Sequence, residues 1–178
     1  RLREILSPEK LRRGREDKLS AEERPRRERA RKSLRGFTNF QLSKDGSKLL
    51  VVLSGRMYLI TRADSRVTAL PGEGWIDPRF APDGQFVAAV KAGDVHVINL
   101  EKQTDLAVTS GANEAIQHGL AEFVAQEEMD RREGFWWSPN SPWLVSHETD
   151  NSGVASRSIA ATTPTARAPA DDSHPSSR

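Results

Sequence analysis

The sequence of 178 residues predicts an all-β fold: a partial β-propeller of two to three blades, with a helical insertion that carries a glutamate pair and a charged N-terminal helix. Two observations predict the propeller. Residues 36–100 alternate apolar and polar side chains between turn signals, as short strands do. The same pattern also occurs twice, with Asp45-Gly46 of the first copy matched by Asp83-Gly84 of the second. Repeats of about forty residues are typical of propeller blades.

The two copies superpose without a gap through turn and strand positions. The matching segments are 42–46 with 80–84, 48–51 with 86–89, and 57–60 with 95–98. A third, partial copy, WWSPNSPWLV, has Asn140-Ser141 at the Asp-Gly position. Its distance from Asp83-Gly84 predicts one repeat plus an insertion of about twenty residues. Because two to three blades cannot close a ring, one flank should expose an apolar sheet face.

Two segments flank the predicted propeller of residues 36–145. Residues 1–35 are rich in Lys and Arg, and Ser20 with Glu23 forms a capping box that predicts a helix near Ala21. This arm is either a basic surface for nucleic acid or lipid or, as we favour because acidic residues interrupt every basic run, a solvated helix. Residues 146–178 lose the alternation and are interpreted as a disordered or out-of-frame tail. The chain begins with Arg, which suggests a fragment.

Composition narrows the function. The net charge is +2, which predicts no nucleic-acid partner, and the absence of cysteine excludes a thiolate metal site or cysteine nucleophile. We find no apolar run long enough to span a membrane. The sequence has no G-x-S-x-G elbow and no evident catalytic triad, so its own chemistry predicts binding and not catalysis.

The stretch EFVAQEEMDRR is the strongest candidate site. Ile116, Leu120 and Phe123-Val124 follow helical spacing and predict an insertion helix over about 115–132. One turn later this apolar stripe is replaced by Glu127 and Glu128. Two adjacent carboxylates can share the three N–H donors of a primary ammonium, which predicts a site for an amine or a peptide N-terminus. The alternative is a solvated helix end, with the two glutamates paired to Arg131 and Arg132.

Other candidate residues give weaker signals. His118 and Glu122 have the spacing of two metal ligands on a helix, but we find no third ligand and predict no metal and no cofactor. Trp136 and Trp137 begin a strand. We expect one ring to pack in the blade core and the other to cap the insertion.

The segment GLAEFVAQEEMDRREGFWWSPNS, residues 119–141, resembles the N-terminal propeller of the dipeptidyl peptidase IV family of serine peptidases. Two further segments, RPRRERARKSLRGFTNFQLSKDG and GEGWIDPRFAPDGQFVAAVKAGDVHVINL, resemble the opening blades of this family. The resemblance covers roughly residues 18–145 and is nearest to the bacterial members and the cytosolic eukaryotic branch. The resemblance implies a periplasmic or cytoplasmic bacterial protein without deciding between them. It also implies proteolysis, the removal of Xaa-Pro or Xaa-Ala dipeptides from peptides with a free N-terminus.

By this resemblance, Glu127 and Glu128 bind the α-amine of the substrate, and Asp130 and Arg131 hold the helix through ion pairs, with Trp136 and Trp137 as supporting residues. The family's arginine for the substrate carbonyl cannot be assigned. The family's catalytic α/β-hydrolase domain is missing, so we expect this chain to be inactive alone. Full-length members are often homodimeric. The alternative function is a non-catalytic propeller-type binding module.

Overall fold

The computed structural model describes residues 40–140 and 143–154, with isolated positions 6–8, 11 and 37 before them. Residues 40–140 and 143–154 form twelve strands and one short helix. In chain order they are β1 Phe40–Leu42, β2 Lys48–Leu53, β3 Arg56–Thr61, β4 Arg66–Ala69, β5 Ile76–Phe80, β6 Phe86–Lys91, β7 Asp94–Asn99, β8 Thr104–Ala107, β9 Ile116–His118, α1 Phe123–Glu128, β10 Phe135–Trp137, β11 Leu144–Ser146 and β12 Glu148–Asp150. No helix within the described ranges is long and apolar enough to cross a membrane.

The first eight strands form two four-stranded antiparallel sheets, β1-β2-β3-β4 and β5-β6-β7-β8. Strands β2, β3 and β4 recur as β6, β7 and β8 with the same lengths and the same spacing along the chain. The repeat and the partial β-propeller predicted from it are therefore confirmed. The turns form as the sequence indicates, since Gly46 and Gly84 have positive φ angles that suit glycine.

The two faces of the second sheet are buried against different neighbours. Val87 and Ala89 of β6 pack in a cluster with Leu50 and Met57 of the first sheet. Ala88 and Val90, which alternate with them, pack with Phe135 of the third unit. Because successive side chains of a strand point to opposite faces, β6 is apolar from Phe86 to Val90, and the sheets stack as blades do.

The third unit differs from the first two because one of its strands is interrupted. The chain from β11 to β12 pairs with β10 along residues 144–146 and with β9 along residues 148–150. Between them, His147 accepts a hydrogen bond from the Gly119 amide at 2.8 Å and donates one to the Gly134 carbonyl at 2.7 Å. Strands β9 and β10 therefore form one composite strand, and residues 120–133 leave it as a loop that carries α1.

The predicted helix over about 115–132 is wrong in its bounds. Ile116–His118 is a strand, Leu120 forms an isolated bridge with Glu133, and the helix begins only at Phe123. The apolar stripe was also misassigned, because Phe123 and Val124 are 63% and 50% exposed while Ala125 is fully buried. Pairing with residues 148–150 makes Ile116–His118 extended, and helical spacing in the sequence does not reveal that partner.

The predicted boundary at residue 146 is also wrong. Ser146 ends β11, and β12 continues the sheet to Asp150. The rest of the interpretation of residues 146–178 concerns positions after 154, which lie outside the described residues. The predicted N-terminal arm, with its helix near Ala21, also lies almost entirely outside them.

A charged cluster on the second sheet supports the core. Asp105 on β8 lies 2.5 Å from Lys91 Nζ and 2.7 Å from His96 Nδ1, and Lys91 lies over the ring of the fully buried Trp75 at 4.5 Å. Burial by itself raises the pKa of Asp105, but the hydrogen bonds with Lys91 and His96 outweigh it, so the pKa of the carboxyl lies below its ordinary value. The ionised carboxylate is therefore the form that the fold favours.

We expect Gly134→Ala to lower the free energy of unfolding by about 2 kcal/mol or more. A methyl group there would lie 2.6 Å from the Gly119 carbonyl oxygen and nearer still to the peptide carbon. Gly153→Ala is the matched control, because nothing lies within 4 Å of the added carbon. Equal denaturation midpoints for the two variants would contradict the close contact.

We expect Asp105→Asn to lower stability by about 1 kcal/mol at neutral pH, where the carboxylate is ionised. Since the folded-state pKa of Asp105 is depressed, its contribution is present above the ordinary carboxyl pKa and is lost as pH falls through the folded-state value. The difference between wild type and variant should therefore shrink on acidification. Urea denaturation from neutral to acidic pH measures it, and a difference that grows as pH falls would contradict this assignment.

Candidate glutamate site

The loop of residues 120–133 leaves the composite strand between two glycines. Gly119 has φ +71°, and an added Cβ would overlap Val95 and lie 3.0 Å from Val90. At Gly134 the obstacle is the Gly119 backbone itself. Two glycines therefore let the outgoing and returning backbones pass beside one residue of the neighbouring strand, His147.

Glu122 caps the start of α1, which the sequence analysis did not predict. Glu122 has an extended backbone, and its carboxylate accepts hydrogen bonds from Val124 N at 2.6 Å and Ala125 N at 2.7 Å. Gln126 Nε2 donates to the Ala121 carbonyl at 2.6 Å. The two bonds to Glu122 satisfy amides that a helix start leaves open, and its carboxylate places a negative charge where the helix dipole favours it.

The helix ends in a sharp turn. Asp130 has φ +48°, a left-handed conformation that Asp tolerates better than most residues, and the Arg131 amide donates to the Ala125 carbonyl at 2.9 Å. Arg131 Nη1 then donates to the Glu133 carbonyl at 2.7 Å. Asp130 pairs with Arg132 at 3.2 Å. Asp130 thus forms an ion pair at the helix end, whereas Arg131 forms hydrogen bonds to backbone carbonyls in place of the expected ion pair.

Glu127 and Glu128 form the last turn of α1, and both are exposed. No basic residue lies in that turn. Carboxylates at the carbonyl end of a helix lie near the negative pole of its dipole, so this placement costs free energy. A cation bound beside the pair would offset that cost. A cation is therefore the ligand that the electrostatics of this turn favour.

Glu133 connects the returning limb of the loop to the blades. Its Oε1 lies 3.0 Å from Arg79 Nη2, and its Oε2 accepts a hydrogen bond from Trp136 Nε1 at 3.3 Å. Arg79 belongs to β5 of the second sheet and also contacts the Asp77 carboxylate at 3.2 Å. The base of the helix loop is therefore tied to a different blade.

The two tryptophans divide their roles as the sequence analysis expects. Trp137 packs against the core cluster of the second and third sheets, and its Nε1 donates to the Arg79 carbonyl at 3.2 Å. Trp136 is 39% exposed and lies beneath the Arg131 guanidinium, 5.9 Å from ring centre to Cζ. One ring fills the core and the other contacts the end of the insertion.

His118 does not act with Glu122 as a pair of metal ligands on a helix. It is a buried strand residue whose Nδ1 lies 2.9 Å from Asp94 and whose Nε2 lies 3.0 Å from Glu148. Glu122 is occupied as the helix cap. In the described part of the chain, no three His, Asp or Glu side chains are arranged to hold a metal ion.

A groove of about 830 Å³ lies between the second and third sheets, away from α1. Phe86, Val97, Leu106, Trp137 and Trp143 are among its lining residues, and no residue of the 120–133 loop lines it. Leu106 and Trp143 are 66% and 74% exposed. Because this groove lies between two blades, the exposed flank expected of an unclosed ring stays a prediction.

Sequence reasoning missed the residues that hold the helix. Glu122 was considered only as a metal ligand, and Glu133 and Arg79 were not singled out. Glycines 119 and 134 bracket the insertion, and this was the available signal for the crossing. Arg79 and Glu133 stand in different repeats, so nothing local in the sequence connects the two.

Comparison with known proteins identifies the family region. Residues 40–176 match the family model described as the dipeptidyl peptidase IV N-terminal region. The match therefore extends past residue 145, where the sequence resemblance was expected to stop. It covers more than half of the chain.

Individual relatives match over shorter stretches. Dipeptidyl peptidase 8 of mouse and of human are each 32% identical over 74 residues, which cover 37% of this chain and 8% of the relative. The crystal structure of Porphyromonas gingivalis dipeptidyl peptidase 4 matches with a TM-score of 0.49 and 22% identity, over 57% of this chain and 16% of that one. The chain thus spans a small part of the proteins it matches.

We expect Glu122→Ala to loosen α1 by about 1 kcal/mol, because the Val124 and Ala125 amides lose their acceptor. Hydrogen exchange at these two amides should accelerate while the melting temperature of the sheets changes little. Glu122→Gln, which keeps one acceptor oxygen, should show a smaller effect. Unchanged exchange in the alanine variant would contradict the cap.

Proposed function

The chain belongs to the dipeptidyl peptidase IV family through its N-terminal region, and from this we propose that it is the substrate-anchoring propeller part of a serine dipeptidyl peptidase. Its glutamates 127 and 128 bind the free α-amine of a peptide. The activity served is the removal of an N-terminal Xaa-Pro or Xaa-Ala dipeptide, with the nucleophile supplied by a hydrolase domain of the complete protein.

One observation carries the proposal: two adjacent, exposed carboxylates form the last turn of a short helix that has no basic residue in that turn. This placement is unfavourable for folding. An α-ammonium offers three N–H donors and a positive charge, and therefore satisfies both carboxylates. The cost to the fold is then offset when the substrate binds.

Anchoring an amine selects a bond by distance. Once the N-terminus is held, the peptide bond after the second residue lies at a nearly fixed span from the glutamates. A nucleophile placed at that span meets one bond and not its neighbours. Such a device requires a rigid support, and the capped helix and its tied base supply one.

The test measures, by titration calorimetry on the 178-residue chain, the dissociation constants of two peptides. One is a short Xaa-Pro peptide with a free N-terminus, and the other is the same peptide with its N-terminus acetylated. Wild type should bind the free-amine peptide at least about tenfold more tightly than the acetylated peptide, because the acetylated peptide lacks one charge-assisted hydrogen bond. Glu127→Gln with Glu128→Gln should abolish that preference and leave the melting temperature unchanged or higher.

The matched control is Glu101→Gln with Glu114→Gln, the same charge change at two exposed glutamates outside the loop. This control should keep the preference for the free amine. Preference retained in the Glu127/Glu128 variant would overturn the anchor. Peptide binding by wild type with no amine preference would instead favour the alternative, a non-catalytic binding module.

A further inference from the structure

We propose that Arg79, on the second sheet, is a positioning residue for the amine-binding glutamates on the third unit. The proposal rests on the proposed function of Glu127 and Glu128. Arg79 acts through Glu133, the last residue of the helix loop. It would make amine recognition depend on the packing of two neighbouring blades.

The side chain of Arg79 is held in one orientation by its neighbours. It follows a bulge in β5, where Asp77 has φ +50° and the register shifts against β6. The Asp77 carboxylate contacts both Nε and Nη2 of Arg79, at 3.4 and 3.2 Å. The guanidinium also lies 5.9 Å from the centre of the Phe135 ring. Only 26% of its side chain is exposed, so few other orientations are open to it.

A short series of contacts leads from Arg79 to the helix. One carboxylate oxygen of Glu133 forms an ion pair with Arg79, and the other accepts a hydrogen bond from Trp136 Nε1. The carbonyl of Glu133 receives Arg131 Nη1, and the amide of Arg131 bonds to Ala125 inside α1. The residues between Ala125 and Arg131 include the glutamate pair. Releasing Glu133 therefore frees the limb that fixes the last helical turn.

Arginine suits this role better than lysine. A planar guanidinium can contact Asp77 and Glu133 together, whereas an ammonium is a single point of charge on a flexible stem. The Arg79–Glu133 pair is partly exposed, with 44% of the Glu133 side chain accessible. Such a pair adds little to global stability. Its loss should therefore affect the loop more than the fold.

The test uses Arg79→Ala and Arg79→Lys in the complete chain, with Arg62→Ala as control. Arg62 donates to the Gly46 carbonyl at 2.6 Å in the first sheet, far along the chain from the loop. The first readout is amide hydrogen exchange over residues 120–133 without ligand. The second is the ratio of dissociation constants for the acetylated and free-amine peptides.

In Arg79→Ala we expect faster exchange at the Arg131 amide and a ratio about tenfold lower, since misplacing a binding group by a fraction of an ångström is costly. Arg79→Lys should be intermediate in both readouts. The Arg62 control should match wild type in both readouts. The melting temperature of each Arg79 variant should stay close to that of wild type.

Two results would overturn the proposal: loop exchange in Arg79→Ala that equals wild type, or equal weakening of both peptides, which marks a merely structural role. The exchange readout needs no ligand. If wild type shows no amine preference, the proposed function fails, while loop exchange still decides whether Arg79 holds the loop.

Discussion

The passage of two backbone segments beside one residue is the constraint on which the candidate site depends. Gly119 and Gly134 both bond to His147, so β9 and β10 continue each other across the loop mouth. A Cβ on either glycine would meet a neighbouring backbone or the valines of the second sheet. The sheet therefore keeps its pairing while the loop leaves it, and the helix gains a fixed base without disturbing the blade.

The loop leaves at a point where the repeated scaffold is already irregular. When the repeats are aligned on their turns, His147 of the third unit corresponds to Val90 of the second. Val90 pairs with Ile76 at the start of the bulge in the second sheet. In the second sheet the irregularity is a bulge within β5, and in the third unit it is a loop with a helix between β9 and β10. Bulges re-aim side chains beside functional sites, and here the bulge of one blade presents Arg79 to the insertion of the next.

Several charged side chains of the described sheets form ion pairs that support the fold. Asp105 is matched by Lys91 and His96, and His118 lies between two carboxylates. Glu127 and Glu128 lie at the end of α1, where the helix dipole disfavours negative charge. Local violations of folding rules are expected at functional sites, where stability is given up for binding. The Glu122 cap, the turn at Asp130 and the Glu133–Arg79 pair hold the two glutamates in a position that the helix alone would disfavour.

The sequence by itself determined the first three strands of each of the first two blades and the glutamate pair, because alternation, Asp-Gly turns and adjacent carboxylates are local signals. It did not determine the helix bounds: Ile116–His118 has helical spacing, yet its partner, Glu148–Asp150, lies beyond the whole insertion and the next two strands. Nor did it connect Arg79 with Glu133. Only the tertiary structure decided these features, because pairing between distant segments overrides local periodicity and brings together side chains that no sequence pattern relates.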